Sequence, residues 1–309
     1  MTVFAPDYYN NFKCIADKCR HNCCIGWEID IDDNTLKIYR DIQGDLGKRL
    51  SSCISTDSTP HFILDKDERC PFLNKNNLCD IITELGENKL CSICADHPRF
   101  RNFYSSSTET GIGLCCEAAA KLILSQTEKI EIVHISGEKS AEFTDEEHVF
   151  FNLRTQIFEI IQNRTSPILD RVQEIFDTYN ISMPPKTIHE WADIFLSLER
   201  LDVSWTDVLN ELKIIAPSSV SAEFDIVFEQ LLIYFFYRHL PDALWDNMFK
   251  ERILFAIVSF YMIYALCSIH KTKNGNLNFD DICEISRMYS SEIEYNEENI
   301  AFLLEILSD

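Results

Sequence analysis

"ILFAIVSFYMIYALCSI", Ile253 to Ile269, runs for 17 residues without a formal charge, at the lower edge of the ~17–25 apolar residues that a membrane span needs. Whether this stretch lies in lipid or in protein decides the fold. Ser259, Ser268 and two tyrosines interrupt it, Glu251 and Arg252 immediately precede it, and no second segment like it follows. It reads as the central core helix of a helical domain and not as a membrane span. Its neighbour "FDIVFEQLLIYFFYRHL", Phe224 to Leu240, is interrupted by Glu229 and supplies the second long helix of that core.

From Asp145 onward the surrounding pattern is the same. "EEHVFFNLRTQIFEIIQNR", "SPILDRVQEIFDTYN", "TIHEWADIFLSLERL" and "SWTDVLNELKII" each carry apolar residues at i, i+3, i+4 spacing, with Ser, Thr or Asp near their starts. That periodicity and those capping residues predict four amphipathic helices. Upstream, "EKIEIVHIS", Glu128 to Ser136, alternates polar and β-branched residues and predicts a strand, followed by a polar linker over Gly137 to Thr144.

The first 120 residues differ in kind. Eleven of the 13 cysteines, at positions 14, 19, 23, 24, 53, 70, 79, 91, 94, 115 and 116, lie there. A chain of 309 residues buries most of its apolar surface without covalent staples, so a disulfide framework is not needed. The N-terminal residues show no basic region followed by an apolar one, which points to the cytoplasm, where thiols are kept reduced. Thiolates there bind metals or do chemistry.

The spacing leaves the metal open. "CSIC", Cys91 to Cys94, is one clear CxxC pair, whereas two such pairs mark a common zinc site. An iron-sulfur cluster also takes four thiolates, from scattered positions. Cys19, Cys23, Cys24, Cys70, Cys79, Cys91, Cys94 and Cys116 are the candidate metal ligands. His21 and His97 could replace a thiolate, though surface or supporting duty suits His97 better. Cys14, Cys53 and Cys115 read about equally as packing residues, and Cys267 and Cys283 as packing residues outright.

"HFILDKDERCPFLNKNNLCDII" predicts a hairpin turning at Asn74 to Asn77, with Cys70 and Cys79 on its flanks. "GLCCEAAAKLIL" puts Cys115 and Cys116 at a helix start, which favours thiolate. The fold class expected is therefore mostly α: an irregular cysteine-rich metal-binding N-terminal module with a short hairpin (residues 1–125), a strand and linker (126–144), and an α-helical C-terminal domain (145–309) on which the module packs.

Charge narrows the partners. Fifty acidic against 28 basic residues give a net charge of −22, which repels nucleic acid and anionic lipid and attracts basic, lysine-bearing proteins. The radical S-adenosylmethionine (SAM) motif CxxxCxxC is broken, because Cys19 and Cys23 are followed by Gly26 in the third position. Gly111 and Gly113 give only a GxG fragment, so no dinucleotide-type SAM pocket is legible. Glu28, Asp30 and Asp32 of "WEIDID" could face a lysine but read better as a solvated edge.

Three blocks carry a resemblance. "FKCIADKCRHNCCIGWEIDID", "RCPFLNKNNLCDIITELGENKLCSICADHPRF" and "GLCCEAA" resemble the signature blocks of the flagellin lysine-N-methylase family, in the same order and with similar spacing. "LLIYFFYRHL" and "ISRMYSSEIEYNEENI" look like its C-terminal segments. More distantly, the cysteine spacing is similar to a widespread zinc- or iron-chelating cysteine-cluster family. The first resemblance implies methyl transfer from SAM to lysines of flagellin, with a cysteine-held iron-sulfur cluster, 4Fe-4S foremost and zinc the alternative. It names neither a catalytic residue nor the SAM pocket. A non-enzymatic iron- or zinc-binding or metal-delivery protein is the other reading.

Overall fold

A computed structural model describes residues 2–138 and 142–308; the middle of the expected linker, residues 139–141, lies outside the described residues. The chain divides into two compact units, Lys13–Arg99 and the combination of Met1–Phe12 with Phe100–Asp309. The cysteine-rich unit thus ends at Arg99, earlier than the residue 125 expected from cysteine density. The reason is that Phe100 to Leu124 pack into the helical unit's core through Tyr104, Ile112, Leu114, Ala119, Ala120 and Ile123.

In the larger unit the deciding stretch is helical from Phe249–Asn274. An 18-residue window of this helix, long and apolar enough to cross a membrane, is 83% buried inside the protein. Its neighbours include Asp225–His239, Phe279–Tyr289 and Glu297–Ser308, whose buried faces join one apolar cluster. The four helices expected from periodicity form at Asp145–Ile161, Ile168–Tyr179, Ile188–Ser197 and Val203–Ile214. Thr144 and Thr187 each close a capping box with Glu147 and Glu190, which satisfies free N–H groups at both ends of the box.

Glu229, read from sequence as an interruption, has a fully buried side chain that accepts from Arg171 at 2.7 Å and Arg164 at 2.8 Å. Two guanidiniums thereby compensate the charge that the core would otherwise reject.

A four-stranded sheet completes this unit, in the order Arg99–Phe103, Ser107–Ile112, Thr2–Pro6, Ile132–Ser136. Thr2–Pro6 runs parallel to Ser107–Ile112 and antiparallel to Ile132–Ser136. Of these strands only the last was legible. One sheet face meets the helices: Asn102 donates to the Tyr237 carbonyl (3.0 Å), and Glu109 takes a two-bond ion pair from Arg154, each bond 2.6 Å. A Cβ on Gly111 would stand 2.3 Å from the Phe100 ring, itself packed on Tyr234 and Tyr237. Gly111→Ala should cost about 1–3 kcal/mol of stability, as overpacked cores do, read as a lower thermal midpoint.

The cysteine-rich unit has a core of its own, centred on Ile29, Ile31, Tyr39, Leu50, Phe62, Phe72 and Ile81 with Cys70 and Cys91 among them. Its helices are short, Asp33–Asp41, Gly44–Cys53, Asp80–Leu85 and Ser92–Asp96, and a two-stranded pair, Ile54–Ser55 with His61–Phe62, stands beside them.

Candidate thiol centre and buried charge network

In the smaller unit two stretches far apart in sequence are tied together by backbone bonds. Cys70 N–H donates to the Cys24 carbonyl at 2.8 Å, Gly26 N–H to the Glu68 carbonyl at 3.0 Å, and Ile25 bridges Arg69 in antiparallel sense. Gly26 adopts φ +88°, a conformation open to glycine and strained for other residues. Trp27 donates its indole N–H to the Cys23 carbonyl at 2.7 Å and fixes the neighbouring thiol's backbone.

The expected turn is present. Asn74 Oδ1 accepts from Asn76 N–H and Leu78 N–H, Asn77 takes φ +56°, and Leu73 bridges Cys79 across it. Cys79 and Cys91 are the residues immediately before the helices Asp80–Leu85 and Ser92–Asp96.

Cys23, Cys24, Cys70, Cys79, Cys91 and Cys94 consequently lie within electrostatic reach of one another. Cys24 donates a hydrogen bond to Cys23, which pulls the Cys23 thiol down to about 7, while the same bond, burial and the charges of Cys23, Cys70 and Cys79 push Cys24 far up. Cys91 and Cys94 form a second pair of this kind: Cys91 is lowered by the bond from Cys94, and Cys94 is raised by that bond, by burial and by Cys91, Cys24 and Cys70. Burial first, then Cys79 and Cys91, raises Cys70 to about 11, and burial also raises Cys79. Among the described residues no three His, Cys, Asp or Glu side chains stand closed around one metal-sized point. The donor set suits a cation nonetheless, since a cation would offset the burial and mutual repulsion that raise Cys24, Cys70, Cys79 and Cys94.

The other candidates divide. Cys19 donates to the His21 carbonyl at 3.1 Å. His97 is half-buried against Trp27 and pulled down to about 4 by burial and Arg99, so its imidazole is neutral at physiological pH. Cys116 belongs to the larger unit, at the start of the helix Glu117–Leu124.

Asp32 has a role that its reading as a solvated edge missed. It caps helix Asp33–Asp41 by accepting from Thr35 N–H (3.0 Å) and also accepts from Ser92 N–H (2.8 Å) and Ser92 Oγ (2.9 Å), inside CSIC. Burial opposes its ionisation, but the bonds from Ser92 and Thr35 outweigh burial and hold the carboxyl well below the usual range. A depressed carboxylate contributes stability fully above its unfolded pKa near 3.9 and loses it as pH falls through the folded value. Asp32→Ala should therefore cost about 1–2 kcal/mol at pH 7, and the gap from the parent should close in strongly acidic buffer, as denaturant titrations at both pH values would show.

The larger unit holds a second polar concentration where "GLCCEAA", "LLIYFFYRHL" and "ISRMYSSEIEYNEENI" meet. Ser290–Glu294 forms a π-helical turn, a form often found at functional sites. It carries Glu294, whose side chain is fully buried, 2.6 Å from His239 Nε2, 3.5 Å from Arg238 Nε and 3.0 Å from the Tyr234 hydroxyl that donates to it. Tyr234 in turn accepts from Arg238 (2.7 Å) and from Leu114 N–H (3.2 Å). The Arg238 guanidinium lies between the rings of Tyr295 (4.5 Å) and Phe100 (5.0 Å).

Burial opposes ionisation of Glu294, yet Arg238 and the bond from His239 hold it lowered. Burial also lowers His239, against the pull of Glu294, so His239 is a neutral donor and Arg238 the counter-charge. The network reaches the surface at Tyr295, 46% exposed, which hydrogen-bonds to Cys115.

Residues 197–309 match the family model described as "FliB lysine N-methylase C-terminal domain". The match falls on the helical half, where sequence motifs were weaker, and contains both Arg238 and Glu294. The chain is also 27% identical over 146 residues to "Lysine-N-methylase" of Salmonella choleraesuis strain SC-B67, covering 43% of this chain and 35% of that protein. The same figures hold for "Lysine-N-methylase" of Salmonella typhimurium strain LT2. "Flagellar biosynthetic protein FliU" of Salmonella muenchen is 26% identical over 155 residues, 46% of this chain and 85% of that protein. The similarity thus spans about a third of the length of the two methylases. No solved structure matches.

Proposed function

We propose that this chain, whose residues 197–309 match the FliB lysine N-methylase C-terminal domain, is a cytoplasmic protein-lysine N-methyltransferase that acts on flagellin or another lysine-bearing protein, with SAM as methyl donor. The proposal includes an iron-sulfur cluster, 4Fe-4S, held by thiolates from among Cys23, Cys24, Cys70, Cys79, Cys91 and Cys94. One observation carries the cluster: six thiols from three separated stretches share one electrostatic environment in a unit with its own core. Cys19 and Cys116 stay candidates beside these six, of which four suffice for a cluster.

When bound, such a cluster supplies iron with Lewis-acid and electron-transfer capacity. The chain's own residues do the holding. Cys70 N–H, Trp27 and Asp32 fix the backbones that carry the thiols. In polar transfer the acceptor nitrogen forms its bond to the methyl carbon as the donor's sulfur–carbon bond breaks. The acceptor ammonium must first give its proton to a carboxylate or to water. Fifty acidic residues favour encounter with a lysine-bearing partner.

Anaerobic purification followed by visible absorption, iron and sulfide measurement tests the cluster. Brown protein with iron and sulfide in comparable amounts is the expected result. A colourless zinc protein would refute it and favour the metal-binding alternative.

A further inference from the structure

Two acids stand at cysteine-bearing turns of the smaller unit, and their charges are compensated differently. Asp80, directly after Cys79, is paired with Arg49, whose Nη2 lies 2.8 Å from Asp80 Oδ2. Asp32 reaches the CSIC turn, where its Oδ2 accepts from Ser92 N–H at 2.8 Å and from Ser92 Oγ at 2.9 Å. Its other bonds come from Thr35, N–H to Oδ1 at 3.0 Å and Oγ1 to Oδ2 at 2.9 Å. All of these donors are neutral, and among the described residues no basic side chain pairs with Asp32. The CSIC turn therefore keeps a full negative charge.

That charge sits beside a candidate ligand. Ser92 N–H is the amide that directly follows the buried Cys91, and such amides are the donors a thiolate or cluster sulfur would use. At Cys91 the bond from Cys94 favours the thiolate, while burial and the Asp32 charge oppose it. Two consequences point the same way. The carboxylate adds negative charge next to the thiols, and it draws an N–H donor away from them. Net charge and hydrogen bonds to sulfur set the potential of an iron-sulfur centre, and reduction adds one more negative charge.

We infer that Asp32 is a positioning residue with an electrostatic duty: it lowers the reduction potential of a cluster held by Cys91 and its neighbours, and so keeps that cluster oxidised. The inference rests on the cluster reading above and adds the redox state to it. A centre held oxidised suits polar methyl transfer, which consumes no electron. Helix capping by Asp32 would not by itself move a potential.

Redox titration of the full chain, purified anaerobically, tests it. Dithionite supplies the electron through mediators, and visible bleaching and electron paramagnetic resonance read the reduced centre. Asp32→Asn and Asp32→Ser both remove the charge and keep a residue that caps helices. At the potential that half-reduces the parent, each should raise the ratio of reduced to oxidised centre about tenfold or more. That is the size of one charge several ångströms away through an effective dielectric of about 20. Asp33→Asn, which removes an exposed charge one residue on, should stay at the parent's ratio. Ser92→Ala, which removes one bond and leaves the charge and the N–H bond in place, should stay there too.

Unchanged ratios in both Asp32 variants, with iron and sulfide at the parent's level, overturn the inference and leave the cluster standing. An equal rise in Ser92→Ala overturns it as well, since the geometry of the turn would then be the cause. So does loss of iron from both Asp32 variants, because the residue would then only hold the turn together. A parent without iron and sulfide overturns the inference and the cluster reading together.

Discussion

Arg238→Ala should lower the stability of the larger unit by about 3–5 kcal/mol, the cost of leaving one member of a buried ion pair without its partner. At roughly 2–4 °C per kcal/mol for a unit of this size, the thermal midpoint should fall by about 10 °C. The size follows from the site: Glu294 has no exposed side-chain surface, and the partners left to it, Tyr234, Ser290 and a neutral His239 among them, carry no positive charge.

The loss should depend on pH. In the parent Glu294 has a lowered pKa, so its contribution is complete above the unfolded value and fades only as pH falls through the folded one. Without Arg238, burial raises that carboxyl, and a proton taken up by it or by His239 relieves the unpaired charge. The variant should therefore lie closer to the parent at pH 5 than at pH 8. Replacing both partners with apolar residues, Arg238→Met with Glu294→Leu, should restore much of the stability, because neither charge is then stranded. If the pair serves the reaction as well as the fold, that double variant will be stable and inactive.

The second large effect concerns the thiols. Cys24→Ser, Cys70→Ser, Cys79→Ser and Cys94→Ser should each lose most of the bound iron, since a cluster ligand is not replaced by a hydroxyl that stays protonated. Cys267→Ser should keep its iron. Cys267 is fully buried in Phe249–Asn274, in the larger unit, where burial keeps the thiol raised and nothing calls for a thiolate. Structural metal sites supply folding energy, so iron loss should come with earlier unfolding of Lys13–Arg99. Limited proteolysis of that unit reads this separately from iron content. Iron retained in all four variants would refute the choice of ligands.

Much of the helical half could be read in advance, for local reasons. Thr144 and Thr187 announce their helices by side chains that bond three residues on, and Ile253 to Ile269 is apolar on every side, as a helix buried on every side must be. The sheet was hidden because its central pairing joins Thr2–Phe4 to Ser107–Glu109, across more than a hundred residues. "RFRNF" is an edge strand with two arginines, so its alternation is weak. Local pattern carries no record of such a partner.

The candidate thiols could be read by type and not by arrangement. Cys23, Cys24, Cys70, Cys79, Cys91 and Cys94 stand out by type, but nothing local tells that Cys70 N–H binds the Cys24 carbonyl, or that Asp32 reaches 60 residues ahead to Ser92. Glu229 and Glu294 were hidden for the opposite reason. A charge in an apolar helix looks like an interruption until the arginine facing it is known, and Arg164, Arg171 and Arg238 supply that charge. Apolar periodicity finds a core and passes over the charges paired inside it.

The most direct test is methyl transfer itself. The anaerobically purified chain, incubated with SAM and unmodified flagellin, should add mass in steps of one methyl group, located on lysine side chains by fragmentation. The gain should be absent without SAM and absent with Cys79→Ser. Flagellin and a panel of other lysine-bearing proteins left unmodified by protein that has its full iron and sulfide would contradict the account.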